Sequence, residues 1–491
     1  MRRLAVLFLS VLSSVANAQS ATELPDIGNP AGAAISKDDE YRMGAMIVRQ
    51  LRDENAIIED PEVNEYLQSI GSRIAAQTPD GGRQFHFFAV REGTINAFAL
   101  PGGFIGINYG TVLASKNESE LASVMAHEIA HVTQRHIART VRAQGKQSIA
   151  AAAAILAAIL VGAMAGGSGD AMQGAIAIAQ GAAAQQQVNF TRANEYEADR
   201  VGISFLAASG FNPQAMPSFF ETLSRRNALA GRYVPEMIQS HPVTSNRIAE
   251  SRNRAMQYDH VKVTESASYA LIRERLRVIT APRDADVLQE YKKETRGHES
   301  DFGTRYGEAL ALMSAGKPQD AARILDELVH QHESLTLLYA ALAQAQIAAG
   351  QSNDGFSTFQ HATSLFPRNV PIAVRYAEAL MANGRAKEAH ALLLDVFNNE
   401  APTPEQIRLT ALAASAAGDT GDAYYYMSEY HISSGDLPLA VQQLELALAA
   451  PNLTGVQRQR FQARLDEIRG VLAESRHRRG SRQEEPERDA R

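Results

Sequence analysis

Four glycines, Gly316, Gly350, Gly384 and Gly418, recur every 34 residues through the carboxyl-terminal part of this 491-residue chain. Five positions after each stands a second small residue: Ala321, Gly355, Ala389 and Ala423. A fixed period of this length marks one supersecondary unit stacked on copies of itself. Glycine lets the chain reverse at a tight turn, and a small residue just beyond lets two helices cross closely, so each unit reads as a helical hairpin. The register predicts an α-solenoid over residues 303–470. Pro367 after Ala362 and Pro451 after Ala447 add helix-ending prolines. Gly435 with Ala440 falls half a period later, which points to an offset final unit.

This spacing is the signature of tetratricopeptide repeats, in which the first helix of each pair lines a concave face that binds peptides or partner proteins. A purely structural array is the plainer alternative. The rest of the chain follows another pattern. From residue 36 to about 260 short strand signals mix with helices, and 261–302 reads as a helical connector, so the expected fold class is α+β, mainly α. Residues 84–90, 95–100 and 104–108 read as strands, the second ended by Pro101-Gly102-Gly103.

After these strands, Asn117-Glu118-Ser119-Glu120 offers a helix N-cap with a Glu three residues on. The apolar helical run that follows, Leu121 to Ile137, contains His127-Glu128-Ile129-Ala130-His131. On a helix, residues i and i+4 stand about 40° apart on one face, so two imidazoles can reach one metal ion. Glu128 beside them can act as general base, and the pattern points to zinc-assisted peptide hydrolysis. A chance pentapeptide on a buried helix is the bland alternative. A third ligand must come from elsewhere, and Asn194-Glu195-Tyr196-Glu197-Ala198-Asp199 is the best segment. Glu195 and Asp199 share one helix face, so Glu195 can complete the ligand set while Asp199 fixes a ligand imidazole from behind. Glu197 is the rival ligand, pointing about 160° away from Asp199. His136 lies half a turn from His127 and reads as structural. His241, before Pro242, reads on sequence alone as a surface-loop histidine.

Met1-Arg2-Arg3, an apolar run and Ala16-Asn17-Ala18 form a secretory signal cleaved after Ala18. With zero Cys there is no lipoprotein anchor and no disulfide, and the expected compartment is a bacterial periplasm. Lys+Arg 48 against Asp+Glu 55, a formal charge of −7, gives nucleic acid nothing to bind. Residues 19–35 form an amino-terminal segment. The Ala/Gly-rich block 149–188 reads as a helical hairpin lying over the site or touching a membrane surface, with a buried core hairpin or a membrane span as alternatives. The mixed charges of 471–491 read as a disordered tail.

The HEIAH run, the ExxxD pair Glu195 and Asp199, the Asn96-Ala97-Phe98-Ala99-Leu100-Pro101-Gly102-Gly103 segment and His241-Pro242 together resemble the HtpX and CAAX-prenyl-protease superfamily of zinc metallopeptidases. With a signal peptide and carboxyl-terminal repeats the chain is similar to its periplasmic branch, over roughly residues 36–470. The resemblance implies a gluzincin site with one zinc: His127, His131 and Glu195 as ligands, Glu128 as base, Asp199 behind them. It implies that His241 is a reversible fourth ligand or a transition-state-stabilising group. It implies that the strand at Asn96, Ala97 and Phe98 pairs with extended substrate. Substrates would be unfolded or misassembled outer-membrane β-barrel proteins, and the repeats would contact the barrel-assembly machinery. A chaperone or scaffold with a mostly latent protease site is the alternative function.

Overall fold

The computed structural model describes residues 37–79, 84–137, 139, 192–229, 237, 241–258, 260–282, 286–295 and 301–484. The signal, the segment 19–35 and the block 149–188 lie outside the described residues.

The amino-terminal unit is a small sheet flanked by helices. Helices α1 (Lys37–Asp53) and α2 (Pro61–Ala75) precede β1 (His86–Val90), β2 (Ala97–Leu100) and β3 (Phe104–Asn108). The strand order is β1-β3-β2, with β1 parallel and β2 antiparallel to β3. A 3-10 turn at Pro101–Gly103 joins β2 to β3, where the Pro-Gly-Gly signal placed the reversal. All five residues of β3 are buried, so the central strand carries an apolar run while β2 keeps one edge without a partner strand among the described residues. The short helix α3 (Tyr109–Ala114) leads into α4 (Glu118–Thr133).

Helix α4 is the spine of this unit. Asn117 caps it by accepting from Glu120 N at 2.9 Å, and the Glu120 carboxylate reaches back to Lys116 N at 2.8 Å, satisfying two amides that the helix itself cannot. Every residue from Leu121 to His131 is buried. Around it pack α2, β2, α5 (Arg192–Ala208) and α6 (Ala215–Leu229), and α7 (Ser245–Ala255) lies against α5 and α6. The connector contains α8 (Ser268–Ile279) and α9 (Val287–Glu294).

Beyond residue 301 the chain is a run of antiparallel helices: α10 (Phe302–Ser314), α11 (Pro318–Gln331), α12 (Thr336–Ala348), α13 (Ser352–Leu365), α14 (Val370–Ala382), α15 (Ala386–Phe397), α16 (Pro404–Ala417), α17 (Thr420–Ser433), α18 (Leu437–Ala449) and α19 (Gly455–Glu484). The four periodic glycines and Gly435 all have positive φ, between 70° and 86°. The amide after each glycine bonds a carbonyl five residues back, as Lys317 N to Leu312 O at 2.9 Å and Asp436 N to His431 O at 2.8 Å, so one Schellman closure is used five times. Gly435 follows α17, so that helix ends one hairpin and begins another, which is the half-period offset seen in the sequence. The tail reading needs correction: residues 471–484 continue α19. Four Arg and two Glu, good helix formers, dominate the stretch, and it meets no proline before Pro486. No helix among the described residues is long and apolar enough to cross a membrane.

Candidate metal centre

His127 and His131 stand one turn apart on α4, and their Nε2 atoms converge to 3.0 Å. Helix α5 crosses α4 closely because Gly202 has no side chain: a Cβ there would lie 3.2 Å from Ala126 O. That close crossing carries Glu195, at the start of α5, over the imidazole pair. Its carboxylate stands 3.6 Å from His127 Nε2 and 3.5 Å from His131 Nε2. His241 enters from the chain before α7, with Nδ1 3.0 Å from Glu195 Oε1 and 3.4 Å from His127 Nε2. All four side chains are buried.

These separations decide what the cluster can hold. Two ligands of one tetrahedral ion, each about 2.1 Å from it, lie roughly 3.4 Å apart. The distances among the imidazoles and the carboxylate, 3.0 to 3.6 Å, are of that size. Imidazole with carboxylate is also a donor set that a first-row divalent ion accepts. The residues therefore fit a metal ion.

The electrostatics agree. Burial pulls the His127 imidazole down, but Asp199 and Glu195 outweigh it and push it up to about 10. Burial opposes ionisation of Glu195 too, yet His241 and His127 hold its carboxyl well below the usual range. His131, by contrast, is held well below the ordinary histidine value by burial and by the imidazoles around it. A pocket that draws a proton this strongly onto one imidazole offers the same negative potential to a cation.

Behind the cluster lies a second set of contacts. Asp199 Oδ1 stands 3.0 Å from His127 Nδ1, the ring nitrogen facing away from the rest of the cluster. Arg247, on α7, grips Asp199 with Nε and Nη2 at 2.7 Å each, and its Nη1 lies 2.9 Å from Glu195. Sequence reading missed this arginine; its one signal was a position six residues past His241. His136 was read as structural from its helical angle, but the helix ends at Thr133 and Arg135 takes φ 53°, which swings His136 back so that its Nδ1 is 2.8 Å from His131 Nδ1. The rival ligand Glu197 faces outward, to His136 at 3.2 Å and Arg139 at 2.7 Å.

Glu128 is buried beside β2 with Oε1 lacking a hydrogen bond, and burial raises its pKa. The amide of Ala99 points to it. Since Asn96 O accepts from Asn108 N on the β3 side, alternation turns Asn96 and Phe98 toward β3 and leaves Ala97 and Ala99 facing the open edge. His241 is 3 % exposed, so the surface-loop reading is corrected: its amide bonds Met237 O at 2.8 Å, and the loop is folded inward, with Nε2 3.7 Å from Glu128 Oε1.

Peptidase family M48 matches residues 61–255. The chain is 33% identical over 456 residues, 92% of either chain, to the beta-barrel assembly-enhancing protease of Escherichia coli (strain K12). It is 33% identical over 449 residues, 91% of this chain and 92% of the other, to the putative beta-barrel assembly-enhancing protease of Vibrio cholerae. It is also similar, at 26% identity over 194 residues, 40% of this chain and 36% of the other, to the mitochondrial metalloendopeptidase OMA1 of Arabidopsis thaliana.

Proposed function

The chain belongs to peptidase family M48, and from that membership we propose that it is a zinc endopeptidase of a bacterial periplasm that cleaves misassembled outer-membrane β-barrel proteins and assists their assembly. The observation that carries the reading is the convergence of His127, His131 and Glu195 with Glu128 on the next position of α4. Zinc bound there supplies a Lewis acid and lowers the pKa of a water.

The chain's own residues do the rest. His127 and His131 present Nε2 inward, while Asp199 and His136 engage their Nδ1 sides. Arg247 holds Asp199 and Glu195 in place. Glu128, whose proton affinity burial raises, takes a proton from the attacking water and returns it to the leaving amine. Ala97 and Ala99 offer the outer edge of β2, to which an extended substrate adds as a strand. The repeat array is the surface for the assembly machinery. In the full-length protein Glu128→Gln should keep its zinc and its fold yet lose at least about 100-fold in cleavage of an unfolded outer-membrane protein. Cleavage at the unsubstituted rate would refute the reading.

One observation favours a second reading, in which the protease is mostly latent and the array acts as chaperone. His241 stands between the cluster and Glu128, with Nδ1 3.4 Å from His127 Nε2 and Nε2 3.7 Å from Glu128 Oε1, in the space a water would need. His241→Ala should then raise cleavage with zinc retained; unchanged cleavage would remove latency, and lowered cleavage would replace it with a direct part in the reaction.

A further inference from the structure

Far from this centre, in the repeat array, a histidine is buried without a hydrogen bond. His390 on α15 is 8 % exposed, and its Nε2 has no hydrogen-bond partner. It is aimed at Asp422, on the first turn of α17, whose Oδ2 lies 3.6 Å away. Asp419, the N-cap of α17, completes the group: one donor atom of each residue lies within 4.8 Å of the others. A gap of 3.6 Å is too long for a hydrogen bond. It is the separation of two atoms bonded to one ion at about 2.1 Å with an angle of about 118° between them.

From these contacts we propose that His390, Asp419 and Asp422 form a second metal site, which takes a divalent transition-metal ion of the zinc class. The remaining contacts leave it open. Asp422 Oδ1 is engaged by Arg460 and, at 3.2 Å, by Gln457 Nε2, so Oδ2 is the oxygen turned to His390. Asp419 Oδ1 accepts from Asp422 N at 2.9 Å, and Gln457 lies 3.1 Å from its Oδ2. Two carboxylates against one guanidinium leave a net negative charge beside a buried imidazole. An arginine on the outer oxygens is no obstacle, since Arg247 stands in the same relation to Glu195. One imidazole and two carboxylates are a set that zinc or manganese accepts, with water filling the outward positions. The ion would fasten α15 to the start of α17, whose carboxylates also hold Gln457 and Arg460 of α19.

The test is zinc stoichiometry by equilibrium titration of the full chain, with and without His127→Ala, at neutral pH. In either background Asp419→Asn and His390→Ala should each bind one zinc fewer per chain than their parent. Asparagine preserves the helix cap, so Asp419→Asn carries the test even where His390→Ala folds poorly. Added zinc should also raise the unfolding temperature in the His127→Ala background, and not when Asp419→Asn is added. Equal stoichiometry in parent and Asp419→Asn overturns the proposal, as does a zinc-induced rise of equal size.

Discussion

Arg247 donates to both oxygens of Asp199 while Nη1 lies against Glu195, so two buried carboxylates depend on one side chain. Its removal leaves two buried carboxylates short of a cation. Arg247→Ala should lower metal affinity by about 10- to 100-fold, measured by competition with a chelator, because an outer contact that orients ligands is lost. It should also destabilise the fold by about 3–5 kcal/mol in denaturant titration. Arg247→Lys restores the charge but not the planar fork, so it should recover only part of either loss. At this scale HEIAH and the Glu195-Asp199 pair could be found from spacing, because α-helical periodicity maps sequence distance onto direction. Arg247 and His136 could not. Arg247 acts across a chain separation that no period encodes, and His136 lies beyond a left-handed residue that cancels the helical angle.

The five positive-φ glycines make the array's turns a backbone property rather than a packing one. A Cβ added at Gly350 or Gly384 would meet nothing within 4 Å, yet φ is 82° and 74° there. Gly350→Ala and Gly384→Ala should therefore each cost about 1–2 kcal/mol, the penalty of the left-handed conformation alone. Gly470, inside α19 and also open to a Cβ, is the control: Gly470→Ala should stabilise by up to about 1 kcal/mol. Thermal unfolding of the three variants separates the two effects by sign. The repeats were legible because each unit repeats its own turn chemistry. The extension of α19 was not, since charge pattern alone does not distinguish a solvated helix from a solvated coil. The open edge of β2 was legible as a strand, but which residues face outward rests on pairing with β3.

The two halves of the molecule meet through buried charge. Asp60 caps α2, and its carboxylate accepts from Arg275 Nε and Nη2 at 2.8 Å each and from Arg375 Nη2, on α14, at 2.8 Å. Arg375 also reaches Glu62 at 2.8 Å, and Arg49 on α1 meets Asp436 at 3.1 Å. Burial works against ionisation of Asp60, but Arg275 and Arg375 hold it well below the usual carboxylate range. A carboxylate depressed in the folded state stabilises above its unfolded pKa of about 4, and that contribution disappears as pH falls through the lower folded value. The melting temperature of the full chain should fall below about pH 4. Asp60→Asn should lower it at neutral pH and flatten the acid limb.

Because the carboxylates of α2 find Arg375 only some 315 positions later in the chain, the amino-terminal half is synthesised before the second of the two arginines that neutralise them. An emerging chain thus passes through an interval in which α2, a neighbour of the ligand-bearing helix, is incompletely secured. The order of synthesis leaves the contact between the two halves to the end, when the array that carries Arg375 has been made.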